Sequence, residues 1–178
     1  SQYLAVKNAK EFPLHDGELL TDGGARAPEG DYPTLIKERN VPYAHAKFSE
    51  IKGKPFFVGS LARLNVAGSQ LLPRAQAMVK KIGLKLPSYD TFHNTLAQAV
   101  EYLHYLEQGI QLIDSLRAKE LKSDVVGFKV RAGTGGAAVE APRGVLVHRY
   151  SIDASGKVTA GDVITPTAMN YANIEADA

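Results

Sequence analysis

Apolar residues recur along this chain at two periods, and the change from one to the other separates helical from extended stretches. The clearest helical signal runs from Asp90 to Leu121. Phe92, Leu96, Ala99, Leu103, Leu106, Ile110, Ile113 and Leu116 follow at steps of three and four, which sets them on one helix face. One long amphipathic helix is predicted, with Asp90 as its cap and Gly109 costing about 1 kcal/mol relative to alanine at mid-helix. Two shorter helices precede it. Ser60 is placed to cap Leu61 to Gly68, and Pro73 opens a helix over residues 74–82 that Lys80, Lys81 and Gly83 close. Tyr32 to Arg39 reads as a short helical turn, and Pro166 to Glu175 as a last helix.

Period-two alternation marks the rest. Tyr3 to Lys7 and Leu19-Leu20 flank the turn signal His15-Asp16-Gly17-Glu18 and predict a small hairpin, and Lys54 to Val58 is a further strand. Gly23 to Pro33 reads as loop. After Lys122, Val126, Phe128 and Val130 alternate, and a glycine-rich loop runs from Ala132 to Gly144. Val145 to Ile152 and Lys157 to Ile164 then form a hairpin about Asp153-Ala154-Ser155-Gly156. The pattern predicts a single α+β domain over residues 1–178. Its long amphipathic helix packs on neighbouring helices, and antiparallel β-structure gathers at both ends.

Composition narrows the function classes. With 44% hydrophobic residues in 178, a packed core is available. A net charge of +2, from 21 basic and 19 acidic residues spread over both halves, offers no basic stripe for a nucleic-acid backbone. No apolar run approaches the roughly 20 residues of a membrane span, and the N-terminus lacks a signal-peptide pattern. The count of zero cysteines removes disulfides, thiolate metal sites and cysteine nucleophiles from anything the chain does alone.

Candidate chemistry concentrates between Ala132 and Gly144. A phosphate loop would need Gly-Lys-Ser/Thr before a helix, whereas Glu140-Ala-Pro-Arg-Gly leads into a strand, so nucleotide binding is disfavoured. Arg143, between Pro142 and Gly144, would hold a five-donor guanidinium at a defined place, useful against an anion or developing negative charge. The plainer alternative is an ion pair with Glu140 or another carboxylate at a strand entrance. The five histidines form no ligand pattern, although His148, five residues past Arg143, is a candidate core or supporting residue.

Three segments together resemble the large subunit of nickel-iron hydrogenases, especially the cytoplasmic multi-subunit types. The first is Ala46-Lys47-Phe48 followed by Gly53-Lys54-Pro55-Phe56-Phe57-Val58-Gly59-Ser60-Leu61-Ala62-Arg63-Leu64-Asn65. The second runs from Glu140-Ala-Pro-Arg-Gly to His148, and the third is Ile164-Thr-Pro-Thr-Ala-Met-Asn170 with Asn173-Ile174-Glu175 behind it. Their order and intervals match across nearly the whole chain. One departure is Ser60, where many relatives carry proline.

The resemblance implies part of the hydrogenase large-subunit fold, with the long helix in a helical bundle. It also implies a parent enzyme that oxidises or produces hydrogen at a nickel-iron centre carrying cyanide and carbon monoxide. Four cysteines in two Cys-x-x-Cys motifs hold that centre, and neither motif is here, so an inactive internal portion without metal or cofactor of its own is expected. By the same resemblance Arg143 projects over the metals as a catalytic residue, Pro142 lines the diatomic ligands, and Thr165-Pro166-Thr167 packs on a cyanide. The implied partners are an iron-sulfur small subunit and the remaining large subunit, and the implied compartment is the cytoplasm. Self-association of the isolated piece is expected from its uncovered helix surface. The alternative is a non-redox scaffold, or a quinone-binding relative of the respiratory NADH dehydrogenase subunit.

Overall fold

The computed structural model describes residues 2–119 and 127–178. Strand β1 (Gln2–Lys7) is central to the N-terminal half because both its faces are buried. It pairs antiparallel with β2 (Glu18–Thr21), which pairs with β3 (Arg26–Pro28). Alternation sends Leu4 and Val6 into one core and Tyr3 into another. A 3-10 turn follows at Glu29–Thr34, and β4 (Ile36–Arg39) then pairs with β5 (Phe48–Ile51). The short strand β6 (Phe56–Phe57) runs parallel to β1 on its free edge.

Helices α1 (Ser60–Ala67), α2 (Pro73–Lys81) and α3 (His93–Arg117) share the second core, where Leu61, Leu64, Ala75, Ala97 and Val100 meet Tyr3 and Phe12. Buried His104 ties α3 to the start of α2, its Nδ1 accepting the Leu72 N–H at 3.0 Å. Strands β7 (Gly133–Ala141), β8 (Gly144–Ile152) and β9 (Val158–Ile164) form an antiparallel meander, and α4 (Pro166–Asp177) closes the first core with Met169. The architecture is α+β with β-structure at both ends, as the pattern predicted.

Several local expectations are corrected. The glycine-rich stretch expected as a loop is strand β7; Gly136 lies where an added Cβ would stand 3.1 Å from Gly30 Cα, so the small residue lets the strand lie on the 3-10 turn. The helical turn expected over Tyr32 to Arg39 gives way to β4, because pairing with β5 satisfies its backbone while Ile36 stays in the core. Ser60 does not cap α1. Gly59 holds the cap position without a side-chain bond, and Asn94 of α3 accepts the Leu61 N–H at 3.1 Å instead. Asp90 accepts the Phe92 N–H, one step ahead of α3.

The expected end of the long helix near Leu121, and Val126 of the expected strand, lie outside the described residues. Phe128 and Val130 are in no strand. The face of α3 is the largest surprise. Ala97, Val100, Glu101 and His104 are buried, while Phe92 is 88% and Leu106 66% exposed, so most of the periodic apolar stripe points outward.

Candidate functional site

The three motif segments converge on one place. In the β7–β8 register Ala141 stands opposite Gly144, which makes Pro142 and Arg143 the two residues of a tight hairpin tip. Gly144 has φ +126°, and a Cβ there would stand 2.5 Å from Val58 Cγ2 and 2.8 Å from Gly59 N. The bare backbone therefore seats the tip against the β6–α1 junction. Helix α4 joins through Asn170, whose side chain accepts the Val58 N–H and donates to the Val58 carbonyl, both at 2.9 Å. Asn173 donates to the Phe56 carbonyl.

Beneath the tip lies a buried ion cluster. Arg63 of α1 donates from Nε and Nη2 to the two oxygens of Glu101 at 2.6 and 2.7 Å, and from Nη1 to Glu140 at 2.8 Å. The three side chains are 3%, 6% and 1% exposed. Arg63 also donates to the Ala141 carbonyl at 3.0 Å and Ser60 Oγ at 3.1 Å, with the Pro142 carbonyl at 3.4 Å. The second oxygen of Glu140 accepts the Val6 N–H at 2.7 Å. Burial opposes the Arg63 charge, but the hydrogen bond to Glu101 and the charges of Glu140 and Glu101 outweigh it and hold the guanidinium above its ordinary value. Burial pushes the Glu140 carboxyl up despite the opposing pull of Arg63.

Two cavities flank the tip, and Arg143 lines both. The smaller, about 370 Å³, is bounded by Val58, Asn94, Pro142, Arg143, Thr167 and Asn170. The larger, about 590 Å³, shares Pro142 and Arg143 and is also lined by Leu14, by Tyr102 and Tyr105 of α3, and by the cluster of Arg63, Glu101 and Glu140. The structure thus gathers Pro142, Arg143 and Thr167 around one space. Thr165 and Pro166 lie outside that lining: the Thr165 hydroxyl caps α4 by accepting the Ala168 N–H at 3.4 Å, and Pro166 is buried in the first turn. Arg143 is exposed and forms no hydrogen bond or ion pair with any described residue, so Glu140 takes Arg63, not Arg143, as its partner. His148 lies in β8, its Nδ1 3.0 Å from the Tyr150 hydroxyl, and lines neither cavity.

Sequence reasoning quoted Arg63 only as a motif letter and missed Glu101. A signal existed, since both charges fall on the buried phase of their helices: Arg63 between Ala62 and Leu64, and Glu101 next to Val100. The chain has no cysteine, and the described residues hold no group of three His, Asp or Glu placed to bind a metal centre. The lining suits the outer wall of one. It sets the Arg143 guanidinium, the hydroxyls of Ser60 and Thr167 and the amides of Asn94, Gln98 and Asn170 among Phe57, Val58, Pro142 and Ile174.

No family model matches the chain. It is 33% identical over 174 residues to sulfhydrogenase 1 subunit alpha of Pyrococcus furiosus, covering 97% of this chain and 40% of that subunit. Against sulfhydrogenase 2 subunit alpha of the same organism, identity is 40% over 140 residues, covering 79% and 34%. A crystal structure of NAD+-reducing [NiFe]-hydrogenase in the H2-reduced state superposes with a TM-score of 0.73 and 26% identity, covering 99% of this chain and 42% of that one. Over nearly its whole length the chain is homologous to part of the alpha, or large, subunit of nickel-iron hydrogenases. It spans 40% and 34% of the length of the two sulfhydrogenase subunits.

Proposed function

We propose that this chain forms the outer wall of the active site in a nickel-iron hydrogenase large subunit, with Arg143 as the catalytic residue it contributes. The convergence of three motifs, far apart in sequence, on one cavity beneath an unpaired guanidinium carries this reading. A nickel-iron centre held by cysteines elsewhere in the subunit would supply the chemistry of splitting dihydrogen. Arg143 offers a fixed fork of N–H donors and a positive charge to anionic ligands such as cyanide. The Thr167 hydroxyl can add a hydrogen bond, while Pro142 and Val58 give the apolar surface that suits carbon monoxide and keeps water out. Thr165 and Pro166 act one step back, by fixing the start of the helix that carries Thr167. The complete enzyme would oxidise or produce hydrogen, pass electrons to an iron-sulfur small subunit, and work in the cytoplasm. No helix among the described residues is long and apolar enough to cross a membrane.

The test is made in the complete enzyme. Arg143→Lys should lower kcat for hydrogen oxidation by about tenfold and Arg143→Ala by about a hundredfold or more, with nickel and iron content unchanged. Full metal content with activity within about twofold of the parent would overturn the reading, since a donor acting in the transition state is worth far more than that.

A further inference from the structure

The hairpin tip that carries Arg143 departs from the usual two-residue turn. Such turns favour types with positive φ at the first central position, because those match the twist of the paired strands. Pro142 occupies that position and its ring fixes a negative φ, so the turn does not hold itself in the commonest way. Contacts from outside hold it instead. Arg63 donates to the carbonyls of Ala141 and Pro142, the two residues immediately before Arg143, and to Glu140 one residue earlier. Its remaining donors grip both oxygens of Glu101 on α3, which fixes the fork itself. The position of the tip is thus set by a guanidinium whose own position is set by two helices.

We infer that Arg63 is a positioning residue for Arg143, with Glu101 orienting Arg63 and Glu140 receiving it. The inference rests on the reading of Arg143 above, and adds that this arginine's reach is determined by residue 63, 80 positions earlier in the chain. Arg63 lines the larger cavity but not the smaller one that Thr167 and Asn170 bound, so its proposed role is to hold the tip. Its contribution passes through two carbonyls, and lysine cannot replace it, because one ammonium cannot reproduce a planar fork that serves a carboxylate on each side.

Three variants of the complete hydrogenase test this: Arg63→Lys, Arg143→Ala and the two combined. Kinetics and backbone amide exchange at Gly144 are measured on each. Arg63→Lys is expected to lower kcat by about tenfold or more with KM for hydrogen little changed, since misplacement of a catalytic group acts on the transition state. Exchange at Gly144, which opens β8 opposite Ala141, should accelerate by about tenfold, while Val147 in mid-β8 keeps its protection. The double variant should be no slower than Arg143→Ala alone, because a residue acting only through Arg143 has nothing left to position. Multiplying losses in the double variant, or unchanged exchange at the tip, would overturn the inference. If Arg143→Ala keeps parental activity, the functional reading fails, and the exchange result still decides whether Arg63 holds the tip. Should Arg63→Lys not accumulate as folded protein, Glu101→Gln keeps the volume while removing the charge that orients the fork, and carries the same comparison.

Discussion

A methyl group at position 144 would have to share space with Val58 and the Gly59 amide, on a backbone with φ +126°. Neither conflict can relax cheaply. The neighbouring atoms belong to a branched buried side chain and to backbone, and an L-residue is strained at that φ whatever room it is given. Gly144→Ala is therefore expected to destabilise the fold by about 2–4 kcal/mol, read as a lower urea midpoint with an unchanged slope. A shift below about 0.5 kcal/mol would mean that the tip can lift off the β6–α1 junction, and the rigid seat argued for Arg143 would be lost with it. Position 60 is the opposite case. Ser60 occupies the first helical position and gives Arg63 one acceptor, so a proline there would fit the backbone and cost only that bond. The glycine at 144 and the arginine at 143 were visible in the sequence as unusual residues side by side. Why glycine was required was not, because Val58 lies 86 positions away in the chain and only the folded structure brings it there.

At the level of single elements, periodicity located α3 and the β8–β9 hairpin well, and misjudged which way α3 faces. Period fixes which residues share a face. It cannot say which face turns inward, and here two faces compete. One carries small Ala97 and Val100 with polar Glu101 and His104, and it packs against α1 and α2 because its side chains fit that space and its charges meet Arg63. The other, larger stripe of Leu106, Ile110 and Ile113 is exposed. The glycine-rich segment misled for a related reason: glycine and alanine weaken a strand taken alone, and β7 exists because β8 pairs with it along nine register positions. The uncovered α3 stripe has a measurable consequence for the 178-residue chain by itself. It should self-associate with rising concentration, and the triple variant Leu106→Gln, Ile110→Gln, Ile113→Gln should remain a monomer by light scattering with little change in stability, since those side chains contribute nothing to the core. A parent chain that stays monomeric at every concentration would show that the stripe is too narrow to drive association.

Across the whole molecule, two cores share β1, and the Arg63 cluster fastens helices to sheets where those cores meet: Glu101 belongs to α3, Glu140 to β7, and the Val6 N–H that completes Glu140 belongs to β1. Of the candidate site, the sequence displayed Pro142, Arg143 and Thr167 as motif letters, but the partnership of residues 63, 101 and 140 depends on packing across the chain and no local pattern encodes it. Removing Arg63 should be costly for the same reason. Arg63→Ala leaves two carboxylates without their cation in a space water barely reaches, and a destabilisation of about 3–5 kcal/mol at neutral pH is expected. The loss should depend on pH in a defined direction. In the parent, burial already raises the Glu140 carboxyl above its ordinary value while Arg63 opposes the rise; without Arg63 the opposition disappears and the folded-state value climbs further. A group that binds its proton more tightly folded than unfolded adds stability as pH falls from its folded-state value toward its unfolded one. The deficit of Arg63→Ala relative to the parent should therefore shrink on going from neutral pH toward the ordinary carboxylate range, because a protonated Glu140 no longer needs a cation. Urea unfolding of both proteins across that range measures it directly. A deficit that stays constant with pH would mean that Arg63 stabilises through shape and hydrogen bonds to the carbonyls alone, and that the charge on Glu140 has no part in holding the tip.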